Sequence, residues 1–254
     1  MEYGHLPTNF LNPGMDISII IPVYNEAARI GDSLKKIIAY FKMQKYQYEI
    51  IIVDDGSQDN TLSLINDFSK NIHPLEIFSY MPNRGKGYAV KLGMLKGKGK
   101  YRLFTDADLS TPIEEIDPMV AYLEDGYDIC IASRSLTKSH IIVNQPVYRE
   151  TMGKIYSLIV HLFLALPFRD TQCGFKCMRG SIAETIFPKL IVERFGFDPE
   201  ILFVAQSMGF SIKEFGAKWT NSPMTKVNLL SDPLNMLGAI IKIRYHAWKG
   251  YYSI

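Results

Sequence analysis

No stretch of this 254-residue sequence approaches the ~20 consecutive apolar residues that a helix needs to span a bilayer. An excess of charge is missing too. Twenty-eight Lys and Arg against 26 Asp and Glu leave a net +2, which argues against a nucleic-acid binder driven by bulk electrostatics. Cysteine is scarce. The three present, Cys130, Cys173 and Cys177, are an odd number without metal-site spacing, and fit a reducing compartment better than a disulfide scaffold. Residues 1–15 carry Pro7, Asn9, Asn12, Pro13 and Gly14 but no apolar core of signal-peptide length. Internal repeats and low-complexity segments are absent. The expectation is a cytoplasmic protein of one large domain, or a domain with an appendage, long enough for a sizeable core.

What is present is alternation. Residues 17–21 form a β-branched run closed by Pro22, a buried strand by pattern. Residues 26–41 carry Ile30, Leu34, Ile37, Ile38 and Phe41 at helical spacing. A second strand over 48–53 ends in Asp54-Asp55-Gly56-Ser57, and Asp59-Asn60-Thr61 opens a helix with Leu62, Ile65 and Phe68 on its apolar side. Strand 75–79, helix 87–96, strand 101–105, helix 114–124 and strand 128–132 continue the rhythm. Strands alternating with helices predict an α/β fold: a mostly parallel sheet flanked by helices, with right-handed connections. After Arg134 the rhythm breaks. Residues 135–147 read as a polar, irregular loop, and 148–166 as a helix whose later part, 155–168, is almost wholly apolar. That part is too short to span a bilayer, so it is a core helix or an interfacial one. A strand over 170–178, a helix over 198–208 and a last strand over 212–219 follow. Residues 234–248 interleave Leu237, Ile240, Ile241 and Tyr245 with Lys242, Arg244 and His246. Such a basic amphipathic tail lies on a membrane surface or packs on the domain, and the pattern leaves both open.

The chemistry gathers at strand ends. The strand over 101–105 stops at two carboxylates, Asp106 and Asp108, one residue apart. Paired carboxylates there stand at the carboxyl edge of the sheet, where open α/β folds bind ligands. Two hard oxygen donors suit Mg²⁺ or Mn²⁺ held jointly with a substrate diphosphate. Three more strand ends carry polar clusters: Pro22-Val-Tyr-Asn-Glu26, Asp54-Asp-Gly-Ser57 and Ser133-Arg134. In a parallel sheet all four face one edge. Asn83-Arg-Gly-Lys-Gly87 pairs cations, Arg84 and Lys86, with glycines ahead of a helix, a suitable phosphate-approach loop. Taken singly, each cluster is a turn or a helix cap. Their convergence is the signal.

These residues resemble the family 2 glycosyltransferases, whose fold is GT-A, a Rossmann-like sheet. The likeness rests on Ile-Ile-Pro22-Val-Tyr-Asn-Glu26, Val53-Asp-Asp-Gly-Ser-x-Asp-x-Thr61, Asn83-Arg-Gly-Lys-Gly87 and Asp106-Ala-Asp108, and covers roughly residues 16 to 227. Asp108-Leu-Ser-Thr-Pro-Ile-Glu-Glu115, Ser133-Arg134, Arg149 and Asp170-Thr-Gln-Cys-Gly-Phe-Lys176 are similar to the branch acting on polyprenyl phosphates, the dolichyl-phosphate glucosyl- and, more loosely, mannosyltransferases. The resemblance implies a GT-A domain over 16–227, an extension over 1–15 and an amphipathic C-terminal tail over 228–254. It implies that Pro22, Tyr24 and Glu26 line a nucleoside pocket with Val53 and Asp55, the Asp55 carboxylate accepting a base N–H. Asp106 and Asp108 would hold Mg²⁺ or Mn²⁺ and the donor diphosphate, with Ala107 and Ser110 beside them. Arg134 and Arg149 would bind an acceptor phosphate, and Lys226 would close over the donor. Two departures bear on the sugar. Ser110 stands where mannosyl enzymes have Gln. Trp219-Thr-Asn221-Ser-Pro-Met-Thr-Lys226 replaces the Trp-x-Glu-x-x-Gly-Ser-Lys of glucosyl enzymes.

The function so implied is inverting transfer of a hexose, glucose from UDP-glucose, onto a polyprenyl phosphate. A phosphate monoester, with a second pKa near ~6, is largely ionised at neutral pH and needs no general base. The implied partners are a nucleotide-sugar donor, a polyprenyl phosphate and the cytoplasmic face of a membrane, held peripherally, with no nucleic acid. A transferase acting on a glycan hydroxyl would need a base, for which Asp170 is the candidate. A non-catalytic nucleotide-sugar-binding subunit is the reading from outside enzymes.

Overall fold

The computed structural model describes residues 14–70, 72, 74–136, 139–143, 147–221 and 231–252. Its large sheet is built on β1 (Ile17–Val23) and β2 (Tyr48–Asp54), β-branched strands buried along almost their whole length, as expected where helices cover both faces. With β3 (Leu75–Ser79), β4 (Tyr101–Thr105), β5 (Ile129–Ser133), β7 (Phe175–Arg179) and β8 (Ile212–Gly216), the order is β3-β2-β1-β4-β7-β5-β8. All pairings are parallel except those of β7, which runs antiparallel between β4 and β5. β6 (His140–Val143) and β9 (Lys218–Thr220) form a separate parallel pair.

Side-chain alternation divides the core. Ile20, Ile51, Val53 and Phe104 point to one face, covered by α3 (Lys86–Lys96), α5 (Val147–Leu164), α6 (Gly180–Ile186), α7 (Phe197–Ser207) and α8 (Ser231–Trp248). Ile19, Ile21, Ile50, Ile52 and Leu103 point to the other, under α1 (Ile30–Lys42), α2 (Thr61–Ser69) and α4 (Ile116–Glu124). The α3 helix lies close on β1 only because residue 93 is Gly: a Cβ there would collide with the Ile20 side chain.

The expected architecture is present, with local differences. β1 runs through Pro22 to Val23, pairing Pro22 with Val53. Its pairing with β4 stops at Ile20, so the N–H that Pro22 lacks has no β4 partner to lose. The first helix starts at Ile30 rather than 26, because residues 24–29 make a turn through Asn25, whose φ is 54°. The stretch 135–147 contains β6, and the strand expected over 212–219 divides between the two sheets. Of the run expected over 170–178 only residues 175–178 are strand, and the strand continues to Arg179.

The apolar 155–168 segment is both core and surface. Tyr156, Val160 and Leu164 face inward, while Ile155, Leu158, Leu162 and Phe163 are exposed. α8 packs against α5 and α7 through Ala239, Ile240 and Ile243, and leaves Leu234, Ile241, Tyr245 and Trp248 in solvent. Among the described residues no helix is long and apolar enough to cross a membrane.

Candidate active site

Strands β1, β2, β4 and β5 run the same way, so Glu26, Asp55, Asp106, Asp108 and Arg134 come to one edge of the sheet. Asp106 follows β4 directly. The next residues form a tight turn: Leu109 N–H donates to Asp106 O at 3.1 Å, and Ser110 N–H to Asp108 Oδ1 at 3.0 Å. Leu109 adopts φ 47°, a left-handed conformation unfavourable for a branched side chain by about 1–2 kcal/mol. The Ala107 carbonyl accepts the Ser33 hydroxyl at 2.6 Å, which ties the turn to α1. Behind it lies Gly174, just before β7, where a Cβ would collide with the Asp106 carboxylate.

Each carboxylate faces a protein cation. Lys86, the first residue of α3, bonds Asp106 Oδ1. The Arg29 guanidinium lies 3.5 Å from Asp108 Oδ2 and is gripped by both oxygens of Glu26. Asp55 folds the 83–87 loop: its Oδ1 accepts Arg84 N–H at 2.7 Å, and its Oδ2 accepts Gly85 N–H and Asn83 Nδ2 at 2.8 Å. Burial pushes the Asp55 carboxyl up, opposing those bonds. Arg84 lies over the Tyr88 ring and pairs with Glu193. Pro22 and Val53 are buried neighbours across β1 and β2, with Tyr24 half-buried beyond them.

Across the edge, Arg134 donates three hydrogen bonds to Asp170: backbone N–H at 2.9 Å, Nε at 2.7 Å and Nη2 at 2.9 Å. Burial alone would raise the Asp170 carboxyl; the guanidinium outweighs it and holds the group at about 2. Glu214 secures this segment by accepting the N–H groups of Arg169 and Asp170. Arg134 also lies over Trp219, and Thr220 N–H donates to Ser110 O at 2.8 Å, so β9 connects the arginine to the carboxylate turn. Arg149 is in the first turn of α5, and Lys226 lies outside the described residues.

Sequence reasoning passed over four residues here. Arg29 stands three after Glu26, a spacing that puts the two within reach. Gly174 and Lys176 sit inside the 170–176 motif without a role. Lys176 is fully buried, donates to Cys173 O at 2.6 Å and pairs with Asp198 in the first turn of α7. A lysine in an apolar strand was the available signal, whereas Asp198 was read only as the first residue of the helix over 198–208.

The donor set fits a hard divalent ion. Asp106 and Asp108 are two carboxylates at a partly open edge, and among the described residues no cluster of three or more metal-binding side chains exists. Mg²⁺ and Mn²⁺ are content with such a pair when phosphate oxygens complete the shell; a closed structural metal site is not.

Comparison with known proteins bears on the family and the fold. The model of glycosyl transferase family 2 matches residues 18–187. The dolichyl-phosphate beta-glucosyltransferase of Dictyostelium discoideum is 35% identical over 253 residues, spanning 94% of this chain and 76% of that protein. Its counterpart in Drosophila melanogaster is 33% identical, over 85% of this chain and 70% of that one. Among solved structures, mannosyl-3-phosphoglycerate synthase from Rubrobacter xylanophilus superposes with a TM-score of 0.66 at 18% identity, covering 93% of this chain and 75% of that one. Glucosyl-3-phosphoglycerate synthase from Mycobacterium tuberculosis, in complex with Mg²⁺ and UDP, gives 0.65 at 15% identity, covering 91% and 80%. The likeness to these two is one of fold, the GT-A sheet. A strand edge with paired carboxylates, on that fold and in a sequence this close to known transferases, makes the chain a glycosyltransferase, and it belongs to glycosyl transferase family 2.

Proposed function

We propose that this enzyme transfers glucose from UDP-glucose to a dolichyl-type polyprenyl phosphate, with inversion to a β-linked product. The observation that carries the reading is the Arg134–Asp170 pair. Asp170 is the one carboxylate sequence reasoning offered as a base, and at about 2 its affinity for a proton is far too low for activating a sugar hydroxyl. A phosphate acceptor needs no base, because its oxygen is already ionised. It needs cations, and Arg134 keeps N–H groups beyond those used on Asp170 while remaining part-exposed. The names of the relatives support the lipid phosphate and the glucose.

In this reading Asp106 and Asp108 would hold Mg²⁺ or Mn²⁺, which when bound neutralises charge developing on the leaving diphosphate. The chain supplies the rest. Asp55 shapes the 83–87 loop so that the N-terminus of α3 faces the donor phosphates. Arg134 orients the acceptor phosphate for attack on the anomeric carbon from the face opposite the leaving group. The exposed apolar strips of α5 and α8 bring the site to the cytoplasmic face of a membrane, where the acceptor's isoprenoid tail resides. The test is a screen of UDP- and GDP-sugars against a polyprenyl phosphate and a free glycan, with Mg²⁺ or Mn²⁺. Solvent-extractable glucosyl lipid from UDP-glucose is expected. Transfer to the glycan hydroxyl alone, or preference for a GDP-sugar, would overturn the reading.

A further inference from the structure

The two carboxylates at the end of β4 are already held by protein cations. Lys86 bonds Asp106 and Arg29 reaches Asp108, and neither is a loose surface side chain: they are 21% and 16% exposed. Both are held from a second side. Lys86 also faces Asp198, itself tied to buried Lys176, and Arg29 is bound by Glu26. Charges so shielded from water attract one another more strongly than they would on the surface.

A bare divalent ion entering here must part Lys86 from Asp106 and then share the site with a displaced ammonium. Like charges at that distance oppose binding. An ion arriving with a diphosphate brings anionic oxygens to which the ammonium and the guanidinium can turn. We propose that Lys86 and Arg29 are built-in counter-ions that make cation binding conditional on the nucleoside diphosphate. Both pass from carboxylate to phosphate when ion and donor enter together. They are positioning residues, and their effect is on coupling between two ligands. The proposal rests on the reading of this edge as a nucleotide-sugar site.

The experiment titrates Mn²⁺ into the full chain, following free Mn²⁺ by electron paramagnetic resonance, with and without saturating UDP. In the wild type UDP is expected to tighten Mn²⁺ binding by about tenfold or more, and by reciprocity Mn²⁺ tightens UDP equally. In Lys86→Met, Mn²⁺ alone binds several-fold tighter than in the wild type and the coupling to UDP shrinks. Arg29→Gln moves both quantities the same way. A merely structural pair would predict the reverse, Mn²⁺ affinity reduced alike with and without UDP. The proposal is overturned if wild-type Mn²⁺ affinity ignores UDP, or if neither variant tightens Mn²⁺ alone. UDP binding measured by calorimetry separates the two levels. UDP that binds without coupling sinks the counter-ion role only, whereas UDP that binds under no condition sinks the donor-site reading and this inference with it.

Discussion

Gly174 matters for what it lacks. Its α-carbon rests against the Asp106 carboxylate, and a methyl group there could be accommodated only by moving that carboxylate. Moving Asp106 disturbs its bond to Lys86 and the turn that follows it, anchored through Ser33. Gly174→Ala is therefore expected to lower transfer roughly 100-fold, the scale of a small misplacement of a reacting group. Circular dichroism and melting temperature should stay near wild type. Wild-type turnover in this variant would sink the argument. The contrast among site residues is instructive. Asp106 and Asp108 were legible because their meaning is local, two carboxylates where a strand stops. Arg29 meets Asp108 across 79 positions and Lys176 meets Asp198 across 22, and no short-range pattern encodes such meetings. An ion pair made only by the tertiary fold leaves at most an oddity in the sequence, here a lysine amid strand residues.

Among elements, the segment 190–194 links the far end of the chain to the donor loop. Glu200 in α7 accepts the N–H groups of Ile191 and Val192 at 2.9 Å and the Tyr252 hydroxyl at 2.6 Å. The segment so fixed accepts Tyr88 N–H on Glu193 O at 2.9 Å, and Val192 O approaches Gly87 so closely that a Cβ would sit 2.6 Å away. Glu200→Ala strips the buried N–H of Val192 and the part-buried N–H of Ile191 of their partner, at about 1–3 kcal/mol for the buried group and less for the other. It is expected to lower the melting temperature and raise KM for the donor more than it lowers kcat. An unchanged KM in a destabilised protein would show that the segment supports the fold but not the loop. The same scale shows what the sequence could give. Long periodic elements were readable from β1 to β5, because burial on two faces writes continuous apolar strands between amphipathic helices. The short pieces β6 and α6 were not, and β9 was read only as the end of one longer strand, since a few residues display no period and their partners are set by tertiary pairing.

At the scale of the molecule, both helices with exposed apolar strips cover the same face of the sheet. Ile155, Leu162 and Phe163 of α5 and Leu234, Ile241 and Trp248 of α8 stand in solvent. Burial in lipid would recover about 0.8 kcal/mol per CH₂, and Lys242, Arg244 and Lys249 suit anionic headgroups. Wild-type protein is expected to float with anionic liposomes at low salt. A variant carrying Leu162→Asp and Trp248→Asp should stay at the bottom of the gradient. A wild type that does not float would show that these strips serve another purpose. One further consequence belongs to the order of synthesis. In the large sheet β7 lies between β4 and β5 and runs against both, yet it is made long after them: β4 ends at Thr105 and β5 at Ser133, whereas β7 begins at Phe175. As the chain leaves the ribosome, the donor half can pair its strands early. β4 and β5 meanwhile each present a bare edge of the kind that invites strangers. A chain cut short before Gly174 would keep that gap for good, and Asp106 would never meet the glycine it rests against.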